Sequence, residues 1–92
     1  MIVSFRHKGL KRFYERGDAS RLPADQVERI RDILTVLDTA EDLDTIARPS
    51  FRLHPLKGSR RGQWAVTVRA NWRIVFRFEK PNVIDVDLED YH

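Results

Sequence analysis

Residues 54–92, HPLKGSRRGQWAVTVRANWRIVFRFEKPNVIDVDLEDYH, decide the fold. Trp64, Val66, Val68 and Ala70 alternate with Ala65, Thr67 and Arg69, and after a turn near Asn71, Ile74, Phe76 and Phe78 alternate with Arg73, Val75 and Arg77. A second turn at Lys80, Pro81 and Asn82 leads to Ile84, Val86 and Leu88, which alternate with Asp85, Asp87 and Glu89. Successive side chains of a strand point to opposite faces. The pattern therefore predicts a three-stranded antiparallel meander, with one apolar face to be covered and one face rich in arginine and acid. The residues that precede it have to supply the cover.

Those residues read mostly as helix. Residues 2–5 predict a short strand paired against the meander. Leu10, Phe13 and Tyr14 then fall at helical spacing, with Gly17 as a stop where a left-handed residue costs least. Pro23 suits a helix start, and Val27, Ile30, Ile33, Leu34 and Leu37 form the apolar stripe of a second helix. Its other side, with Glu28, Arg29, Arg31 and Asp32, is expected to face water. Thr39 followed by Asp42 predicts an N-cap and a brief third helical turn over 40–46, closed by Pro49. Residues 51–53 predict a further strand entering the sheet, with Pro55 at its end. Strand, helices and then strands give an α+β fold, an antiparallel sheet with two or three helices on one face.

Size and composition narrow the function. With 92 residues the chain is expected to form one domain, residues 1–92, since a second would lack an interior. There is no cysteine, hence no disulfide framework or thiolate metal site, and the histidines at 7, 54 and 92 lack a short ligand spacing. The lack of cysteine fits a cytoplasmic location, and the amino terminus has too few uninterrupted apolar residues for a signal peptide or membrane span, so a soluble protein is expected. The formal charge is +3, and the cations cluster: Lys8, Lys11, Arg12 and Arg16, then Arg48, Arg52, Lys57, Arg60 and Arg61, then Arg69, Arg73 and Arg77. Such clusters fit either a phosphate-binding surface or an ordinary solvated one.

The candidate chemistry lies at the ends of the meander: His54, Lys57 in a glycine-containing loop, Arg73 after a turn, and the terminal Asp90, Tyr91 and His92. Attack of a ribose 2′-hydroxyl on the adjacent phosphate needs a base, an acid for the departing oxygen and fixed cations for the charge growing on phosphorus. Histidine suits either proton role, and no metal or cofactor is required. Each residue also has a plainer role: His54 as a structural histidine, His92 as a frayed end, Arg73 and Arg77 as cross-strand partners of Asp85 or Asp87, and Trp64 and Trp72 as packing.

HPLKG, then a basic loop into GQWAVTVRANWRIVF, then a terminal DYH resembles the HigB toxins of the RelE and ParE superfamily, and the resemblance extends to MIVSFRHKGLKRFYERG and PADQVERI. It implies a compact microbial-RNase-like fold and a ribosome-dependent messenger RNA endonuclease. Such a toxin acts in the aminoacyl site of the 70S ribosome, against small-subunit RNA, and is restrained by a HigA-type helix-turn-helix antitoxin. Position by position, it places His54, Asp90, Tyr91 and His92 in the catalytic set and Lys57 and Arg73 on the phosphate. Arg60 and Arg61 of the basic loop join them as RNA contacts. Ser59 and Arg69 depart from the family pattern, which bears on loop details and codon preference. Two assignments of the proton roles stand: His54 and His92 as base and acid with Asp90 orienting, or Asp90 as base with a histidine as acid. A ParE-like gyrase inhibitor and a ribosome blocker that does not cut are the alternatives.

Overall fold

The computed structural model describes residues 1–91. Helix α1 (Lys8–Arg16) starts at His7, whose Nδ1 accepts a hydrogen bond from the Leu10 amide at 3.1 Å. It ends at Gly17, where φ is 71° and the amide donates to the Phe13 carbonyl, the left-handed stop expected from the sequence. A 3₁₀ turn (Ala24–Gln26) follows Pro23 and runs into α2 (Val27–Thr39), which buries Ile30, Ile33, Leu34, Val36 and Leu37. Helix α3 (Leu43–Ile46) is a single turn. Its cap is Asp42, whose carboxylate accepts from the Thr45 amide, and not Thr39, which is the last residue of α2. The acid wins because its extended backbone lies one position before the turn and its oxygen reaches the orphan amide.

Four antiparallel strands lie side by side in chain order: β1 (His54–Pro55), β2 (Gln63–Arg69), β3 (Trp72–Glu79) and β4 (Asn82–Asp90). The meander is thus as read. The strand expected over 51–53 is instead the end of a 3₁₀ turn (Pro49–Phe51) and a left-handed Arg52, which shortens the entering strand to two residues. Phe51 is buried there against the core, and a local turn serves that burial better than extension. Residues 2–5 do pair with β4, in parallel and only through isolated bridges, Ile2 with Val83 and Phe5 with Val86.

Strand β4 carries an irregularity. Val75 pairs with Asp87 while Arg77 pairs with Ile84, so one extra residue sits on β4, and Asp85 there takes φ 56°. Its amide donates to Ser4 Oγ at 2.9 Å. As a result Val83, and not Ile84, joins Val86 and Leu88 in the core. These meet Val66, Val68, Ile74 and Phe76 of β2 and β3 and the stripes of α1 and α2 in one apolar cluster. Trp64 and Trp72 pack against the edge of this cluster, in the packing role.

One cation that the helical pattern assigns to water is tied to the sheet. Arg29 donates from Nη2 to the Thr67 carbonyl at 3.0 Å and the Ser50 carbonyl at 2.6 Å, and from Nε to the Val68 carbonyl at 3.2 Å. The ladder shifts between Thr67 and Arg69, where a bulge turns carbonyls out of regular pairing, and the guanidinium takes them. Its face also lies 5.0 Å from the Phe51 ring centroid. Arg29 thereby fixes the segment that leads to His54.

Candidate active site on the open face of the sheet

The face of the sheet opposite the helices has a small apolar floor. Ala65 and Val75 are fully buried yet stand outside the main core cluster. Paired residues share a face, so the row His54, Ala65, Val75, Asp87 and the next row Thr67, Arg73, Glu89 are set side by side by register. His54 and Asp87 bound their row across three strand intervals, about 14 Å.

His54 is exposed, and its Nδ1 lies 2.8 Å from the Arg52 carbonyl. A carbonyl only accepts, so Nδ1 carries the proton, and the neutral ring keeps its lone pair on Nε2. The left-handed Arg52, with φ 50°, aims that carbonyl. Lys57 caps the 3₁₀ turn (Gly58–Arg60) that follows β1, and both it and Arg61 are exposed. At Gly62, φ is 97°, a backbone that strains any L side chain, and a Cβ there would come within 2.9 Å of the flexible end of Arg77.

Arg60 and Arg73 converge on one carboxylate. Arg60 makes a two-pronged pair with Glu89, with Nη1 to Oε1 at 2.9 Å and Nη2 to Oε2, and its Nε donates to Gln63 Oε1 at 2.9 Å. Arg73 donates to Glu89 Oε1 from Nε and from Nη2, each at 3.2 Å. Arg73 is only 12% exposed and Glu89 23%. The hydrogen bonds from Arg60, with those from Arg73, hold the Glu89 carboxyl below its ordinary range, and Glu89 raises Arg60 in turn. Arg73 therefore pairs across strands, but with Glu89 and not with Asp85 or Asp87. Asp85 is held by Ser4, and Asp87 Oδ1 accepts from the Leu88 amide.

The terminal set follows directly. The Arg73 guanidinium lies 4.1 Å from the Tyr91 ring centroid, and the Tyr91 amide donates to the Asn71 carbonyl at 2.7 Å, so the tail continues along the β2–β3 turn. Asp90 pairs with Trp72, which places it on the row of Leu88 and Ile74 and not on that of Glu89. His92 lies outside the described residues. Arg73, Tyr91 and the Arg60 loop are thus brought together, with His54 and Lys57 across the sheet from them. Glu89 went unnoticed in the sequence; its signal was only that an acid faces the same side as the arginines.

Residues 3–92 match the family described as the RelE-like toxin of the type II toxin–antitoxin system HigB. The chain is 50% identical over 92 residues, covering the whole of both chains, to Endoribonuclease HigB of Proteus vulgaris. Among solved structures it is similar to YafQ from E. coli strain BL21(DE3), with a TM-score of 0.65 and 15% identity over 98% of this chain and 91% of that one. It is also similar to the YoeB/ParE toxin from Agrobacterium tumefaciens, with a TM-score of 0.61 and 21% identity over 96% of each chain. These neighbours share the compact α+β fold anticipated from the meander. With the family match spanning nearly the whole chain and a full-length relative at half identity, the protein belongs to the HigB family of RelE-like toxins of type II toxin–antitoxin systems.

Proposed function

We propose that the protein is a single-domain messenger RNA endonuclease of a toxin–antitoxin pair, cutting transcripts in the ribosomal aminoacyl site through attack of a 2′-hydroxyl on the neighbouring phosphate. The observation that carries the reading is the pairing of an exposed His54, its Nε2 left as the basic nitrogen, with a fixed arginine across an apolar floor. The full-length relative that is named an endoribonuclease supports it. In this reading His54 and His92 carry the protons, with Lys57 and the outer edge of Arg73 on the phosphate, Tyr91 against the RNA and Arg61 on the flanking backbone. The register of Asp90, on the row away from Arg73, favours an orienting role for it over that of the base.

Docking on ribosomal RNA has its own support. Residues 6–21 hold six cations against two carboxylates, so this segment alone carries more net positive charge than the chain's total of +3. Lys8, Lys11, Arg16 and Arg21 are exposed there, while Arg12 is paired with Asp18 at 3.0 Å. A phosphate surface on α1 suits the small-subunit RNA and a cytoplasmic site of action, and membership of the HigB family supports restraint by a HigA-type antitoxin.

Primer extension on a defined message translated by purified ribosomes tests the proposal. Discrete in-frame cuts that need ribosomes are expected with the wild type, with the rate falling about 10²–10⁴-fold in His54→Ala and in His92→Ala. Intact message under arrested translation refutes cleavage, and wild-type rates in both variants refute the proton roles.

A further inference from the structure

We infer that Glu89 is a positioning residue for RNA cleavage, one that holds Arg73 in its working geometry while masking part of the positive charge offered to the substrate. The inference rests on the nuclease reading above and assigns a role to a residue that this reading does not use. Glu89, near the end of β4, ties two separate segments to its own. Its carboxylate binds Arg60 from the loop after β1 and Arg73 from β3, and through Arg73 it meets Tyr91 of the tail.

The donor inventory shows what the clamp leaves available. A guanidinium has five N–H groups. Arg60 commits Nε to Gln63 and both terminal nitrogens to Glu89, so it acts mainly as a brace. Arg73 commits Nε and Nη2, and among the described residues its Nη1 has no hydrogen-bond partner. One face of its plane is covered by Tyr91. A group so held presents a single edge in a fixed direction, the condition under which a cation stabilises a transition state without having to reorganise. Glu89 also cancels one of the two arginine charges. Substrate in its ground state is thereby held less tightly than two unpaired arginines would hold it.

Replacement of Glu89 by glutamine therefore moves binding and rate in opposite directions. Glu89→Gln adds one net positive charge and unfastens Arg73. RNA should bind several-fold more tightly and with a steeper salt dependence, while the rate of the bound complex falls about 10–100-fold, as a misplaced group predicts. A purely structural role lowers the amount of folded protein but does not tighten binding. Glu89→Asp keeps the charge and shortens the reach, so affinity should stay at the wild-type value while the rate falls.

The experiment measures single-turnover cleavage of ribosome-bound message, together with equilibrium binding to the same complex carrying a 2′-deoxy nucleotide at the wild-type cut. Both are run below the melting temperature of each variant. Tighter binding with slower cutting in Glu89→Gln supports the inference. If the wild type cuts and Glu89→Gln cuts at the same rate with the same affinity, the inference fails and the nuclease reading stands; if the wild type does not cut, the nuclease reading itself fails. Should Glu89→Gln not fold, Glu89→Asp decides: an unchanged rate overturns the role, and a slower rate at unchanged affinity supports it.

Discussion

Arg29 offers a stringent test of how the helical layer is fastened to the sheet. Arg29→Met keeps the stem and its packing but removes every donor. Three carbonyls, of Ser50, Thr67 and Val68, lose a charged partner. A bond to a charged group contributes about 1.5–3 kcal/mol net when shielded. Only the bonds to Thr67 and Val68 are part-buried, and they share one guanidinium, so about 1 kcal/mol each is the fairer figure. The Ser50 bond is exposed and adds a few tenths, and the contact with the Phe51 ring about 0.5–1 kcal/mol. The total is about 3 kcal/mol, which in a domain of this size lowers Tm by about 12–24 °C. Arg31→Met is the control. Among the described residues Arg31 pairs with Glu28, whose side chain is 85% exposed, and lies over Phe13, contacts that amount to less than about 1 kcal/mol. Thermal melts followed by circular dichroism compare the two variants. If they melt within two or three degrees of each other, Arg29 is the water-facing cation its position on the helix suggests, and the reasoning is refuted.

Three further outcomes are expected from urea melts. Because Glu89 is held below its ordinary value of 4.5, its contribution to stability is present above that pH and is lost as pH falls through the lower folded value; Glu89→Gln should remove this part of the acid limb. Tyr14 donates to Asp38 Oδ1 at 2.7 Å, and this bond, with partial burial and the Asp38 and Glu15 charges, raises its pKa from 10.0 to about 12. Its contribution is present below pH 10 and declines as pH rises from there through about 12, a limb that Tyr14→Phe should flatten and that an unchanged profile would disprove. Among the described residues Gln26 is buried with no partner for its Oε1, so Gln26→Met should stabilise the fold by about 1 kcal/mol, and a loss of stability would show that the amide is satisfied after all.

Much of the architecture was written in periodicities. The stripe of α2 and the alternation that sends Val66, Val68, Ile74 and Phe76 into the core are pattern and packing in agreement, while Ala65 and Val75 are buried on the open face as well. What escaped were contacts made by backbone irregularities. Arg29 looks like any exposed helix cation until a bulge in β2 turns carbonyls toward it. His7 had no role in the sequence reading because histidine is not among the common caps, yet its Nδ1 does the work of an Asn or Asp oxygen. The short β1 was lost for the same kind of reason: a left-handed Arg52 has no compositional mark, since glycine is the residue that usually announces that conformation. For the candidate site, the sheet gathers Arg73, Tyr91 and the Arg60 loop, with His54 and Lys57 across from them and Asp90 on the other row, while the acid that binds Arg60 and Arg73 had to be seen in the register.

That register depends on a single extra residue. From the turn, Glu79 pairs with Asn82, Phe78 with Val83 and Arg77 with Ile84. Carried on without interruption, the same offset would set Ile74 opposite Asp87 and Arg73 opposite Leu88, driving an acid into the core and a leucine onto the open face. The bulge at Asp85, stabilised by Ser4, corrects both errors together: Ile74 meets Leu88, and Arg73 meets Glu89. The clamp in the site and the apolar seam beneath it thus have one cause. The sequence hides it, because Ile84, Val86 and Leu88 offer a regular alternation; only the observed burial of residues 83, 86 and 88, separated by three positions and then two, reveals a strand that no regular pleat could bury on one face.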